Sequence, residues 1–269
     1  MKIYEIEISR EALDKMPVAE RTFLLAAAHA LNEINTLIKF FRWADPTADG
    51  AGNDPHGVQA RGQLVMSLVT MRLLVGKLHE AYELIRKGYL ANQLSKTFNA
   101  KLDADAMASL DALNKFFGKK NYLTDVRNVF SFHYTPDQYR EQFAKVPQEL
   151  ELAVLAAYDG LNTLFEFGEA ITTYTVMSYL EAATQEEAIS KLREQSLYVH
   201  AHLNRFLQAV VSEMVATYVG ATLNELPHKI HEFNAPSSLS ISIPFFVELA
   251  DELAREAAAS QEAGSETHG

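Results

Sequence analysis

The chain has 269 residues, 48% of them hydrophobic and 22% charged, with a formal net charge of −11 and no cysteine. That is enough apolar side chain for one large domain or two small ones. Without cysteine there is no disulfide framework, thiolate nucleophile or Cys-based metal site. No apolar run is long and charge-free enough to cross a membrane, and Met1-Lys2-Ile3-Tyr4-Glu5-Ile6-Glu7 lacks the apolar stretch of a secretory signal, so a cytoplasmic location is expected.

Ile3, Ile6 and Ile8 suit a short strand at the start. Phe23, Ala27, Ala30, Ile34, Leu37 and Phe41 then recur at spacings of three and four, the mark of a helix with one apolar face. Asp45-Pro46 stops it, and a Gly/Asp/Pro-rich loop runs to about Gly57. Leu64, Leu68, Met71, Val75, Leu78, Tyr82 and Ile85 form the stripe of a second long helix, closing near Gly88. Asp103 is placed to cap a helix that ends at Phe117-Gly118. A short amphipathic helix over Leu123–His133 follows the turn Gly118-Lys119-Lys120-Asn121. Tyr134-Thr135-Pro136-Asp137 ends it, because proline disfavours helix in the residue before it.

Residues 148–183 read as further helix, with break points at Asp159-Gly160 and Gly168. A third long helix, Glu186 to about Val219, carries Ile189, Leu192, Val199, Leu203, Phe206 and Val210 and ends at Gly220. Leu239, Ile241 and Ile243, alternating with serine, suit a second strand that pairs with the first. A last helix from Pro244 to about Ala259 and a disordered polar tail over 260–269 complete the chain. The expectation is an all-α, up-and-down multi-helix bundle with a short terminal β-strand pair, in a single domain over 1–259.

Charge is uneven. Residues 115–145 carry six basic side chains and three acidic ones, leaving the remainder at −14. A basic island in an acidic molecule suits local engagement of phosphate rather than a groove tracking a long nucleic acid.

Several polar clusters compete for attention. His79, Glu80 and Glu83 put an imidazole and carboxylates about one turn apart, with His29 and Glu33 as a comparable pair. Matching ligands on other helices are missing, so salt-bridged surface pairs are expected and no metal or other cofactor is implied. His228, His231 and Glu232 follow Pro227 in what reads as a loop. No phosphate-cradling glycine loop, nucleophile elbow or dinucleotide fingerprint occurs.

The most informative stretch is Arg127-Asn128-Val129-Phe130-Ser131-Phe132-His133. It offers a fixed cation for phosphate, an imidazole that moves a proton near neutral pH, and an amide to orient them. Arg72 to His79 and Arg193 to His200 have a similar spacing but lie inside long helices. Helical geometry sets Arg127 and His133 about 120° apart, so a groove must take in both faces or the helix must loosen near Tyr134-Thr135.

Arginine, an adjacent polar residue and a histidine five residues further on resemble the signature of the HEPN superfamily, over roughly residues 60–160. The resemblance implies a metal-independent endoribonuclease of toxin or phage-defence type. His133 would remove the 2′-OH proton, Arg127 would neutralise the phosphorane and Asn128 would orient the arginine or the phosphate. Lys119, Lys120 and Arg140 would hold RNA. It further implies a homodimer that builds the site from two motif copies, and an antitoxin or defence-system protein as partner. The competing reading is a non-catalytic helical binding or scaffold protein recognising a nucleotide, RNA or protein, with Arg127 paired to Asp125 or Asn121.

Overall fold

The computed structural model describes residues 1–44, 57–130, 136–144, 146–150, 152–157, 160–238 and 240–247, with backbone alone at 128–130 and 138. Three long helices form its frame: α2 (Val18–Trp43), α3 (Val58–Leu84) and α9 (Gln185–Val219). Each packs on the other two. The expected stripes lie at the contacts. Phe23, Ala27, Ile34 and Phe41 of α2, Met71, Val75 and Leu78 of α3, and Leu192, Val199, Leu203, Phe206 and Val210 of α9 are all buried. Leu68 is only half-buried, on the rim of a cleft.

Beyond α3 the chain makes a π-helical turn, Ile85–Leu90, which swings Tyr89 into the core. Its ring lies 5.5 Å from Phe23 and 5.3 Å from Phe206, tying the three long helices together at one end. The Tyr89 hydroxyl donates to Asn99 Oδ1 at 2.7 Å, so the buried phenol is not left unsatisfied. At Gly88 an added Cβ would meet the Phe23 ring at 3.0 Å, which explains a glycine in mid-turn.

The shorter helices clothe this frame: α1 (Arg10–Asp14), α4 (Gln93–Phe98), α5 (Ala104–Phe117), α6 (Tyr122–Phe130), α7 (Pro136–Phe143) and α8 (Glu166–Tyr179). Their starts follow capping chemistry. Asp103 accepts from the Ala106 N–H at 2.8 Å to cap α5, and Thr184 accepts from the Glu187 N–H at 3.1 Å to cap α9. Gly220, at φ 85°, ends α9 in the left-handed conformation that glycine takes without a Cβ clash.

Three sequence expectations are corrected. The helix expected over 148–183 is confined to α8. Upstream of it, Leu155 and Leu164 exchange backbone hydrogen bonds at 2.9 and 2.8 Å as an antiparallel bridge. Leu152 and Val154 stay exposed, so the apolar residues there have no helix face to bury.

The strand pair is present, but β1 (Lys2–Ile6) pairs antiparallel with β2 (His228–Glu232) and not with 239–243. Charge complementarity fixes that register: Lys2–Glu232 at 2.8 Å, His231–Glu5 at 2.6 Å and Lys229–Glu7 at 2.6 Å. His228, His231 and Glu232 therefore belong to a strand rather than a loop.

Lastly, Pro244–Val247 is irregular and begins no helix. Leu239, the rest of the expected last helix and the 260–269 tail lie outside the described residues. Among those described, no helix is long and apolar enough to cross a membrane.

Candidate functional site around Arg127

Helix α6 is short and anchored on one side. Asn121, buried, caps it by accepting from the Thr124 N–H at 2.9 Å, while its own amide donates to the Lys119 carbonyl at 3.0 Å. Leu123 and Val126 are fully buried and seat α6 against α3. Arg127, four residues after Leu123, is thereby held at the edge of that seat, with 34% of its side chain exposed. As a cation in the last turn it also complements the helix dipole.

The Arg127 guanidinium donates from Nη2 to Glu80 Oε1 on α3 at 2.5 Å. The Asn121 amide is committed to the cap and to the Lys119 carbonyl. The Glu80 side chain is 49% exposed, so the ion pair is screened by water and worth about 0–1 kcal/mol. A phosphate offering two charge-assisted bonds competes well with such a partner.

Beside Glu80 stands His79, which sequence spacing linked to Arg72. In the fold the two separate. Arg72 reaches across to α8 and grips Glu169 with two bonds, 2.9 and 3.0 Å. His79 turns toward α5 and α6, edge-on to the Phe117 ring at 5.9 Å. Burial, and next the Arg127 charge, push its imidazole below the usual 6.5, which keeps it neutral at physiological pH. Its Nδ1 is buried with no hydrogen-bond partner among the described residues. A neutral imidazole near a phosphate-competent arginine is the feature that sequence reading missed.

His133 lies outside the described residues, and Asn128 is placed on α6 by its backbone alone. Of the proposed RNA-holding residues, Lys119 and Lys120 are exposed in the turn between α5 and α6. Lys120 borders a cleft of about 280 Å³ that Glu141 and Glu181 also line. Arg140, on α7, is bonded to Asp137 at 2.9 Å.

The other clusters are accounted for as ion pairs or core polar contacts. Glu83 is held by Arg86 and Lys87, and the Arg86 hydrogen bond above all brings its carboxyl down to about 2. Glu33 is held by Lys77 at 2.6 Å. Among the described residues no group of three or more His, Asp or Glu side chains could hold a metal ion. Arg193 lies over the Phe41 ring, 5.5 Å from its centroid. His200 bonds Asn35 at 3.1 Å and Asn204 at 2.7 Å, closing a polar network between α2 and α9. A larger cleft of about 410 Å³ between α3, α8 and the start of α9 is walled by the Arg61–Glu166 pair and by Leu64, Leu68 and Tyr174.

The molecule is thus an all-α helical bundle carrying a short antiparallel strand pair, with an arginine-centred surface site between α3 and α6. No protein-family model, curated protein or solved structure matches the chain.

Proposed function

We propose that this chain is a HEPN-like, metal-independent endoribonuclease of toxin or phage-defence type, acting in the cytoplasm as a homodimer. The observation that carries the reading is Arg127 itself. It is fixed at the bundle surface by a short, well-seated helix and bonds Glu80, a half-exposed carboxylate whose pairing is screened by water and with which a phosphate competes.

In the reaction, His133 takes the 2′-OH proton and the 2′-oxygen attacks the adjacent phosphorus. The P–O5′ bond breaks, the departing 5′-oxygen takes up a proton, and the products are a 2′,3′-cyclic phosphate and a 5′-hydroxyl. Arg127 neutralises the charge that develops on the phosphoryl oxygens, with Asn128 orienting it. Lys119, Lys120 and Arg140 hold flanking phosphates, and an antitoxin or defence-system protein restrains the activity. His79, neutral beside Arg127, is a second imidazole available on the same surface.

A non-catalytic reading has its own support in the Arg127–Glu80 pair, which is also what a structural arginine would make. On that reading the basic turn docks a nucleotide, RNA or protein without chemistry. Expression of the wild type beside His133→Ala in a bacterial host separates the two. The nuclease reading expects wild-type growth arrest with fragmented RNA, relieved by the substitution. The binding reading expects the two strains to behave alike.

A further inference from the structure

Residues 240–247 lie across the start of α3 as an irregular strap. Several of the contacts are directed at its backbone. Gln59 uses both ends of its amide on Phe246, donating to the carbonyl at 3.4 Å and accepting from the N–H at 3.2 Å. Asn162 does the same to Val247, at 2.7 and 3.0 Å. Ile243 donates its N–H to the Trp43 carbonyl at 3.0 Å. Phe245 rests on Gly62, where an added Cβ would stand 2.6 Å from the Phe245 Cβ. A side-chain amide bonded to both N–H and C=O of one residue imitates a neighbouring strand, which is how extended peptides are held with little regard to sequence.

Two observations say that the strap is a replaceable occupant. First, the connecting residues 233–238 are exposed throughout and have no regular structure. Second, the fit is incomplete. Gln63 is 1% exposed and donates its Nε2 to Ser242 Oγ at 2.9 Å, while its Oε1 is buried with no donor among the described residues. A buried acceptor without a donor is less stable than a satisfied one.

We infer that this surface, formed by Gln59, Gly62, Gln63 and Asn162, is a peptide-recognition site that the chain's own C-terminal segment occupies in the absence of a partner. The partner it fits is a protein bearing an extended segment with two adjacent aromatic residues and a side-chain amide three residues before the first of them, where the strap has Ser242. That amide pairs reciprocally with Gln63, accepting from Nε2 and donating to the empty Oε1. The site stands about 25 Å from Glu80 along α3, counting 1.5 Å per residue, so it is independent of the Arg127 reading.

The test uses two labelled synthetic peptides, Ser240–Val247 and the same peptide with Ser242→Asn, titrated into the full chain. The asparagine peptide should bind roughly tenfold tighter, the equivalent of about 1.4 kcal/mol for one satisfied buried group. Gln63→Leu should erase that difference, and Gln59→Leu with Asn162→Leu should weaken both peptides. Hydrogen exchange at Phe246 and Val247 should speed up when the asparagine peptide is added, because the strap is displaced. The proposal is overturned if neither peptide binds at millimolar concentration, while those two amides exchange only with global unfolding. It is equally overturned if both peptides bind alike to the wild type and to Gln63→Leu.

Discussion

Arg127 and its neighbours show how little a motif's spacing says about its partners. The arginine meets Glu80, which is 47 residues away, because Leu123 and Val126 seat α6 on α3. Local periodicity carries no information about which helix a short helix docks on, so the contact with Glu80 is not legible from the α6 sequence. The ion pair is exposed, so Arg127→Ala should lower stability by no more than about 1 kcal/mol in urea melts. Glu80→Gln should tighten binding of RNA at low salt, since the competing carboxylate charge is removed; weaker binding would mean that Glu80 positions the arginine rather than competing for it. The histidines give a pH signature. Burial holds both His79 and His200 below the usual 6.5. As pH falls through 6.5 the unfolded chain takes up protons that the folded chain refuses, so stability drops, and the loss levels off below the folded values. Urea midpoints from pH 7.5 down to 5 should therefore fall for the wild type, and less steeply for His79→Gln.

At the level of elements, the long helices were legible because a stripe at spacings of three and four over many turns has only one good structural solution. The caps Asp103 and Thr184 and the stop at Gly220 fall where their chemistry puts them. One misreading lies where apolar residues alternate with small polar ones; another, at 148–165, lies in an apolar-rich stretch whose described residues form no α-helix. Ile241 and Ile243 carry a strand pattern, but β2 is chosen by cross-strand charges that period-two hydrophobicity does not register. The Ile241–Val247 segment instead spends its backbone groups on side-chain amides of α3 and the loop before α8, a pairing no sequence pattern announces. Burial also separates two leucines on the same stripe. Leu78 is fully buried, and Leu78→Ala should cost about 2–5 kcal/mol. Leu68, on the rim of the α3–α8 cleft, should cost about 1 kcal/mol when truncated, since much of its surface already meets water. Equal losses in the two melts would show that the cleft closes in solution.

Across the whole molecule, the acidic balance and the basic stretch at 115–145 set what the protein meets. An overall charge of −11 repels long polyanions, and local cations admit a short or structured one. Composition made this visible, whereas the Arg140–Asp137 pair shows that part of the basic charge is answered internally. The site reading also expects two copies, and light scattering at micromolar concentration should report a dimer; a monomer would remove the shared-site mechanism while leaving a binding role intact. The most direct measurement is cleavage of host RNA by the purified chain in EDTA, with the product ends identified. The products should carry 2′,3′-cyclic phosphate ends, cleavage should vanish where the scissile 2′-OH is replaced by hydrogen, and rates should fall about 10²–10⁴-fold with His133→Ala and severely with Arg127→Lys. Cleavage that is undiminished in the Arg127→Ala, His133→Ala double variant, or RNA binding at low salt that neither substitution alters, would contradict it.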